Sequence, residues 1–98
     1  MKLNKEIIIS FAKEHSPLGG KRTTLETSNL LISIVGGRQG LYGDFNETFE
    51  LAIMDNQTKS FMTKQFVPEA NDDVIGYMSI EDLLEVVNPL IERGFRVI

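Results

Sequence analysis

The sequence predicts an α+β domain: an antiparallel sheet of three to four strands, with an N-terminal and a C-terminal helix packed on one face. Three observations lead there. Leu30–Val35 (LLISIV) is a run of strand length, apolar at every position but Ser33. Phe45–Met54 alternates, with Phe49, Leu51 and Ile53 on one side and Thr48, Glu50 and Ala52 on the other. Behind Ser79, the residues Ile80, Leu83, Leu84, Val87, Leu90 and Ile91 form a stripe at helical spacing. At 98 residues, a second domain would leave each half too small to bury a core, so residues 1–98 are read as one domain.

The first element in chain order is Asn4 to His15. Leu3, Ile7, Phe11 and His15 recur every four residues and Asn4 supplies an N-cap, which predicts a helix. Ile7, Ile9 and Phe11 also alternate, and three successive isoleucines favour extended chain, so a strand is the competing reading. Pro17 and Gly19-Gly20 end this element. Leu18–Thr27 reads as an exposed polar connector around Lys21-Arg22. Leu30–Val35 is apolar on both faces, which places it centrally in the sheet. Gly36–Gly43 (GGRQGLYG) holds four glycines in eight residues and is expected to be a loop with unusual backbone angles.

Phe45–Met54 is the second strand. Asp55-Asn56-Gln57-Thr58 is a turn, joining it in a hairpin to a third strand, Lys59–Phe66, with Phe61 as its core residue. Pro68–Asp73 is loop, and Val74–Met78 is a short fourth strand. Ser79 caps the C-terminal helix, with Glu81 and Asp82 at the positive end of its dipole. Pro89 lacks an amide proton and clashes with the preceding turn, so Asn88-Pro89 is expected to begin a fresh short turn. Gly94 stops the helix, and Phe95–Ile98 is an edge strand or a docked tail.

Composition narrows the function classes. The absence of cysteine excludes disulfides, thiol nucleophiles and thiolate metal sites. The apolar runs fall far short of the about 20 residues that span a bilayer. Acidic Glu6 and a short apolar stretch follow Lys2 and Lys5, so neither a signal peptide nor a membrane partner is expected, and the reading is cytoplasmic. The net charge of −4 argues against direct nucleic-acid binding, which rests on neutralising phosphates. Residues 1–40 carry a net +3 and residues 41–98 a net −7. A chance imbalance on a solvated surface is the simpler reading; the sharper one is a bipolar field able to orient a partner.

Motifs for specific chemistry fail on spacing. Gly20-Lys21 resembles the end of a phosphate-binding loop, but Arg22 replaces the magnesium-binding Ser or Thr and His15 replaces the first glycine. Gly37-x-x-Gly40-x-x-Gly43 lacks the dinucleotide spacing, and a strand rather than a helix follows it; Arg38 could still contact an anion there. Asp44, Asn46, Thr48 and Glu50 place oxygens at every second residue, but along a strand these lie about 6.6 Å apart, too far to ring a calcium ion. His15 is the sole histidine and nothing directs it at a serine, so neither a metal site nor a nucleophilic triad is expected. No cofactor is expected.

Two surface features remain as candidate partner sites. One is the glycine loop, with Arg38, Tyr42 and Asp44. The other is an acidic belt of Glu69, Asp72, Asp73, Glu81, Asp82 and Glu85. Capping and solvation account for much of the belt; a partner-facing role is the sharper reading. Tyr77 lies in the short fourth strand, where a half-buried tyrosine is usually core rim.

Ile32-Ser-Ile-Val-Gly-Gly37, Gly40-Leu-Tyr-Gly-Asp44, Thr48-Phe-Glu-Leu-Ala52 and Val74-Ile-Gly-Tyr77, followed by a helix headed by Ser79, together resemble small proteins of unassigned function encoded by tailed bacteriophages. The resemblance covers about residues 30–90 and brings no catalytic residues with it. It implies a phage accessory protein that binds or disables a host factor. The expected function is thus a non-enzymatic binding protein acting on a host protein through a charged surface. The alternative is a small homo-oligomeric structural or regulatory module, a homodimer among the options.

Overall fold

The computed structural model describes residues 2–15, 19–37 and 42–98. In chain order its elements are α1 (Lys5–Ser10), β1 (Lys13–Glu14), β2 (Lys21–Glu26), β3 (Leu30–Gly36), β4 (Thr48–Asp55), α2 (Thr63–Phe66), β5 (Val74–Ser79), α3 (Ile80–Leu90) and β6 (Arg96–Val97). The fold is α+β. Its open antiparallel sheet runs β1-β2-β3-β4-β5, and β6 pairs with the other end of β2.

Register sets the core. Leu25 opposes Ile32, which opposes Ile53; Thr23 opposes Ile34, which opposes Leu51. Residues directly opposed across strands share a face, so these positions make one apolar surface. Leu3 and Ile8, from the N-terminal segment and α1, join Leu83 and Val87 of α3 and Ile91 in one cluster with that surface. Each such side chain, fully buried, contributes about 1.5–3 kcal/mol. Asn88 ties α3 to the chain entering α1: Leu3 N–H donates to its Oδ1 at 2.8 Å, and its Nδ2 donates to the Leu3 carbonyl at 3.4 Å.

Both predicted caps form. Asn4 Oδ1 accepts from Ile7 N–H at 2.8 Å, and Ser79 Oγ from Asp82 N–H at 3.2 Å. The first helix nevertheless stops at Ser10 instead of reaching His15, because Lys13 and Glu14 pair with Arg22 and Lys21. Phe11 is consequently exposed. The expected connector Leu18–Thr27 is largely a strand, β2, with Leu25 and Thr23 buried. Thr23 is satisfied there because its hydroxyl donates to the Ile8 carbonyl at 2.6 Å. Leu30–Val35 is central, as expected, between β2 and β4.

The expected third strand, Lys59–Phe66, is a correction. Only Phe61 bridges to β4, opposite Met54, and its side chain is half exposed; the chain then turns into α2. Thr63 replaces the strand. Its hydroxyl accepts from Ile53 N–H at 3.0 Å and donates to the Asp73 carbonyl at 2.6 Å. The sheet therefore has more strands than the three to four expected, with β5 rather than the 59–66 segment completing it. Pro89 sits in the last turn of α3 instead of opening a new one. So near the end, a proline costs only the bond back to the Glu85 carbonyl. Gly94, at φ +119°, follows, and Phe95–Ile98 supplies β6. Pro17 and Arg38 lie outside the described residues.

Candidate functional site

The site is built where the chain after β3 returns to β4. Gly36 and Gly43 allow close approach of backbone: a Cβ at Gly36 would stand 2.9 Å from Phe45 N, and one at Gly43 2.8 Å from the Thr48 carbonyl. Asp44 organises the turn that follows. Its Oδ1 accepts from the amides of Asn46, Glu47 and Thr48 at 2.8–3.0 Å. These donors favour the carboxylate and hold the Asp44 pKa at about 2. Asp44 is thus occupied by its own loop.

Tyr42 reaches across to β5. Its N–H donates to Glu50 Oε1 at 3.2 Å, and its carbonyl accepts from Tyr77 N–H at 2.8 Å. The two tyrosine rings lie 5.8 Å apart at an angle of 52°. Tyr42 also covers Gly76, where a Cβ would stand 2.5 Å from the Tyr42 Cβ, so no larger residue fits.

Beside this contact β5 carries a bulge. Phe49 opposes Met78 and Leu51 opposes Ile75, so Gly76 and Tyr77 stand together opposite Glu50. Bulges of this kind re-aim side chains. Tyr77 takes φ +54°, a left-handed conformation that costs an L-residue about 1–2 kcal/mol. Its side chain is 68% exposed.

A groove of about 540 Å³ runs along β5, between the segment leaving α2 and the first turns of α3. Glu69, Asp82 and Glu85 line it with Phe66, Tyr77 and Val86. No lysine or arginine lines it among the described residues. Other depressions on the surface mix the signs of charge. Glu26 and Arg96 share one and are ion-paired at 2.5 Å; Arg93 joins Asp55 and Glu92 in a second; Lys2 joins Glu92 and Glu85, which borders the groove as well, in a third.

Of the predicted site residues, the structure brings Glu69, Asp82 and Glu85 into this groove. Asp72, Asp73 and Glu81 are exposed but do not line it; Asp72 Oδ1 accepts from Asp73 N–H at 2.7 Å. Tyr42 does not line the groove but packs against Tyr77, and Arg38 lies outside the described residues. Sequence reasoning missed Phe66 and the outward turn of Tyr77. The signal for the latter was available, since a lone glycine inside a strand pattern (Gly76) marks a bulge.

Chemically, the groove offers three carboxylates and two exposed aromatic rings to a cation. Among the described residues, no group of three His, Asp or Glu side chains could hold a metal ion. Among the described residues, no helix is long and apolar enough to cross a membrane. No family model, curated protein or solved structure matches the chain.

Proposed function

We propose that this is a non-enzymatic binding protein that takes a basic segment of a partner protein into the groove between β5 and α3. One observation carries the reading: Glu69, Asp82 and Glu85 converge on a concave, aromatic-rimmed surface with no basic side chain lining it among the described residues. Complementary charge across an interface steers encounter and selects partners. The resemblance to phage accessory proteins supports a host protein as the source of that segment, met in the host cytoplasm.

The test is affinity capture from a bacterial lysate at low salt. The tagged protein is compared with a variant carrying Glu69→Lys, Asp82→Lys and Glu85→Lys, and captured partners are cross-linked and mapped. The reading expects a partner cross-linked to the groove through lysines, released at high salt and lost in the variant. Equal capture by the variant, or no partner at all, would overturn it. Exposed Phe11 and Phe61 favour the competing reading, a homo-oligomeric module, for which light scattering would return a multiple of the 11.0 kDa chain mass.

A further inference from the structure

We infer that the sheet face turned away from the core is a docking surface for a second copy of this chain, paired two-fold about β3 through Arg22 and Glu50. The register defines that face. Arg22 opposes Val35, which opposes Glu50; Thr24 opposes Ser33, which opposes Ala52 and then Val74; Glu26 opposes Leu31, which opposes Met54. Lys13, Arg96 and Phe61 extend these rows beside Arg22, Glu26 and Met54. Opposed residues share a face and successive residues alternate, so all of these stand opposite the core positions. α1 and α3 bury Ile8, Leu83 and Val87 on the core side. On the far side, none of Leu31, Val35, Ala52, Met54, Phe61 and Val74 belongs to the core cluster or packs against it. Leu31, Ser33 and Met54 stay partly exposed although β3 and β4 are inner strands.

The charges on this face select the occupant. The chain carries a net −4, which sets copies against one another over an acidic surface. Here Lys13, Arg22 and Arg96 stand with only Glu26 and Glu50, so the face is not acidic. Arg96 pairs with Glu26 within the chain, whereas Lys13 and Arg22 form no ion pair among the described residues. The charges are also ordered, with Arg22 on one side of Val35 and Glu50 on the other; Glu50 holds the Tyr42 amide through Oε1. A two-fold axis along β3 lays β2 of one copy over β4 of the other at the same height. Arg22 of each copy then meets Glu50 of the other, while Leu31 and Ser33 meet their own counterparts, as an isologous contact requires. Aligned sheets pack about 10 Å apart, a distance that arginine and glutamate side chains span together. The face measures about 23 Å along the seven residues of β3 and about 19 Å from β1 to β5. That is less than a standard interface, so the dimer is a weak one, with a Kd on the order of 100 μM. The groove between β5 and α3 stays open in such a dimer, so this pairing stands independently of the groove reading.

The test is sedimentation equilibrium of the full chain at low salt, from about 20 μM to about 1 mM, a range that brackets this Kd. The weight-average mass is expected to rise from 11.0 kDa toward twice that value. Arg22→Glu sets like charges together at both contacts, and so does Glu50→Arg; each alone should weaken association about tenfold or more. Mixing the two variants restores opposite charges at both contacts, so the mixture should associate as the unaltered chain does. Both substitutions in one chain should restore association as well, which separates loss of contact from loss of fold. A monomer at every concentration, single substitutions without effect, or a mixture and a double variant no heavier than the single variants would overturn the inference.

Discussion

Replacing Thr63 by valine is the most informative test of how the groove is held up. Thr63 is 1% exposed, and its hydroxyl does the work of a strand. Beyond the last paired residues of β4 and β5, Ala52 and Val74, it accepts from Ile53 N–H and donates to the Asp73 carbonyl. Valine keeps the shape and removes both bonds. The Ile53 N–H then loses its partner in the interior, at about 1–3 kcal/mol, and the Asp73 carbonyl loses one at a partly buried position, at less, for a loss of roughly 2–4 kcal/mol. For a domain of this size that lowers the melting temperature by roughly 10–30 °C. Thr63→Ser keeps the hydroxyl and loses one methyl group, so it should cost only about 1 kcal/mol. Urea unfolding followed by circular dichroism, with thermal melts alongside, measures both. A Thr63→Val loss below about 1 kcal/mol, or a loss no larger than that of Thr63→Ser, would refute the hydroxyl's role as a surrogate strand.

Other outcomes follow from the same geometry. Gly76→Ala places a methyl 2.5 Å from the Tyr42 Cβ, so the Tyr42 contact must open, and the near-ultraviolet dichroism of the tyrosines should weaken with little change in the far ultraviolet. Asp44 has a folded pKa of about 2 against an ordinary 3.8, so its contribution to stability is present above about pH 4 and is lost as pH falls through 2. Asp44→Ala should accordingly be less stable at neutral pH and show a shallower acid dependence in urea melts between pH 4 and 2. Asn88→Leu strips both partners from the Leu3 backbone and should destabilise by about 1–3 kcal/mol in the same urea assay.

The parts of the fold legible in the sequence were those where apolar pattern and burial coincide. The Phe49-Leu51-Ile53 face is wholly buried, and Leu30–Val35 and the stripe of the Ser79-capped helix bury most of their selected residues or pack them partly buried against the core. What stayed illegible was burial achieved by hydroxyls. Lys21–Glu26 reads as polar because Thr23 stands at a core position, made acceptable by a single bond to the Ile8 carbonyl. Thr63 hides in the same way inside a segment that seemed to offer Phe61 to the core. Neither bond has a local sequence signature, since the partners lie 15 and 10 residues away. The candidate site divides similarly. The acidic character of Glu69, Asp82 and Glu85 is plain in the composition, but their convergence depends on how the 63–73 segment folds back against β5.

The two edges of the sheet bear on how the site is used. An open edge strand invites pairing with another chain, and short or bulged strands blunt that hazard. On one side the edge is divided between β1 and β6, two residues each, and Ile98 N–H fills the space between by donating to the Thr24 carbonyl at 3.0 Å. On the other side β5 is longer, contains neither proline nor lysine, and is interrupted by the bulge at Gly76 and Tyr77. That bulge does two things through one distortion. It breaks the regular ladder that a second copy would need for edge-to-edge pairing, and it leaves Tyr77 exposed at the rim of the acidic groove. The bulge therefore weighs against a homodimer built by sheet extension along this edge.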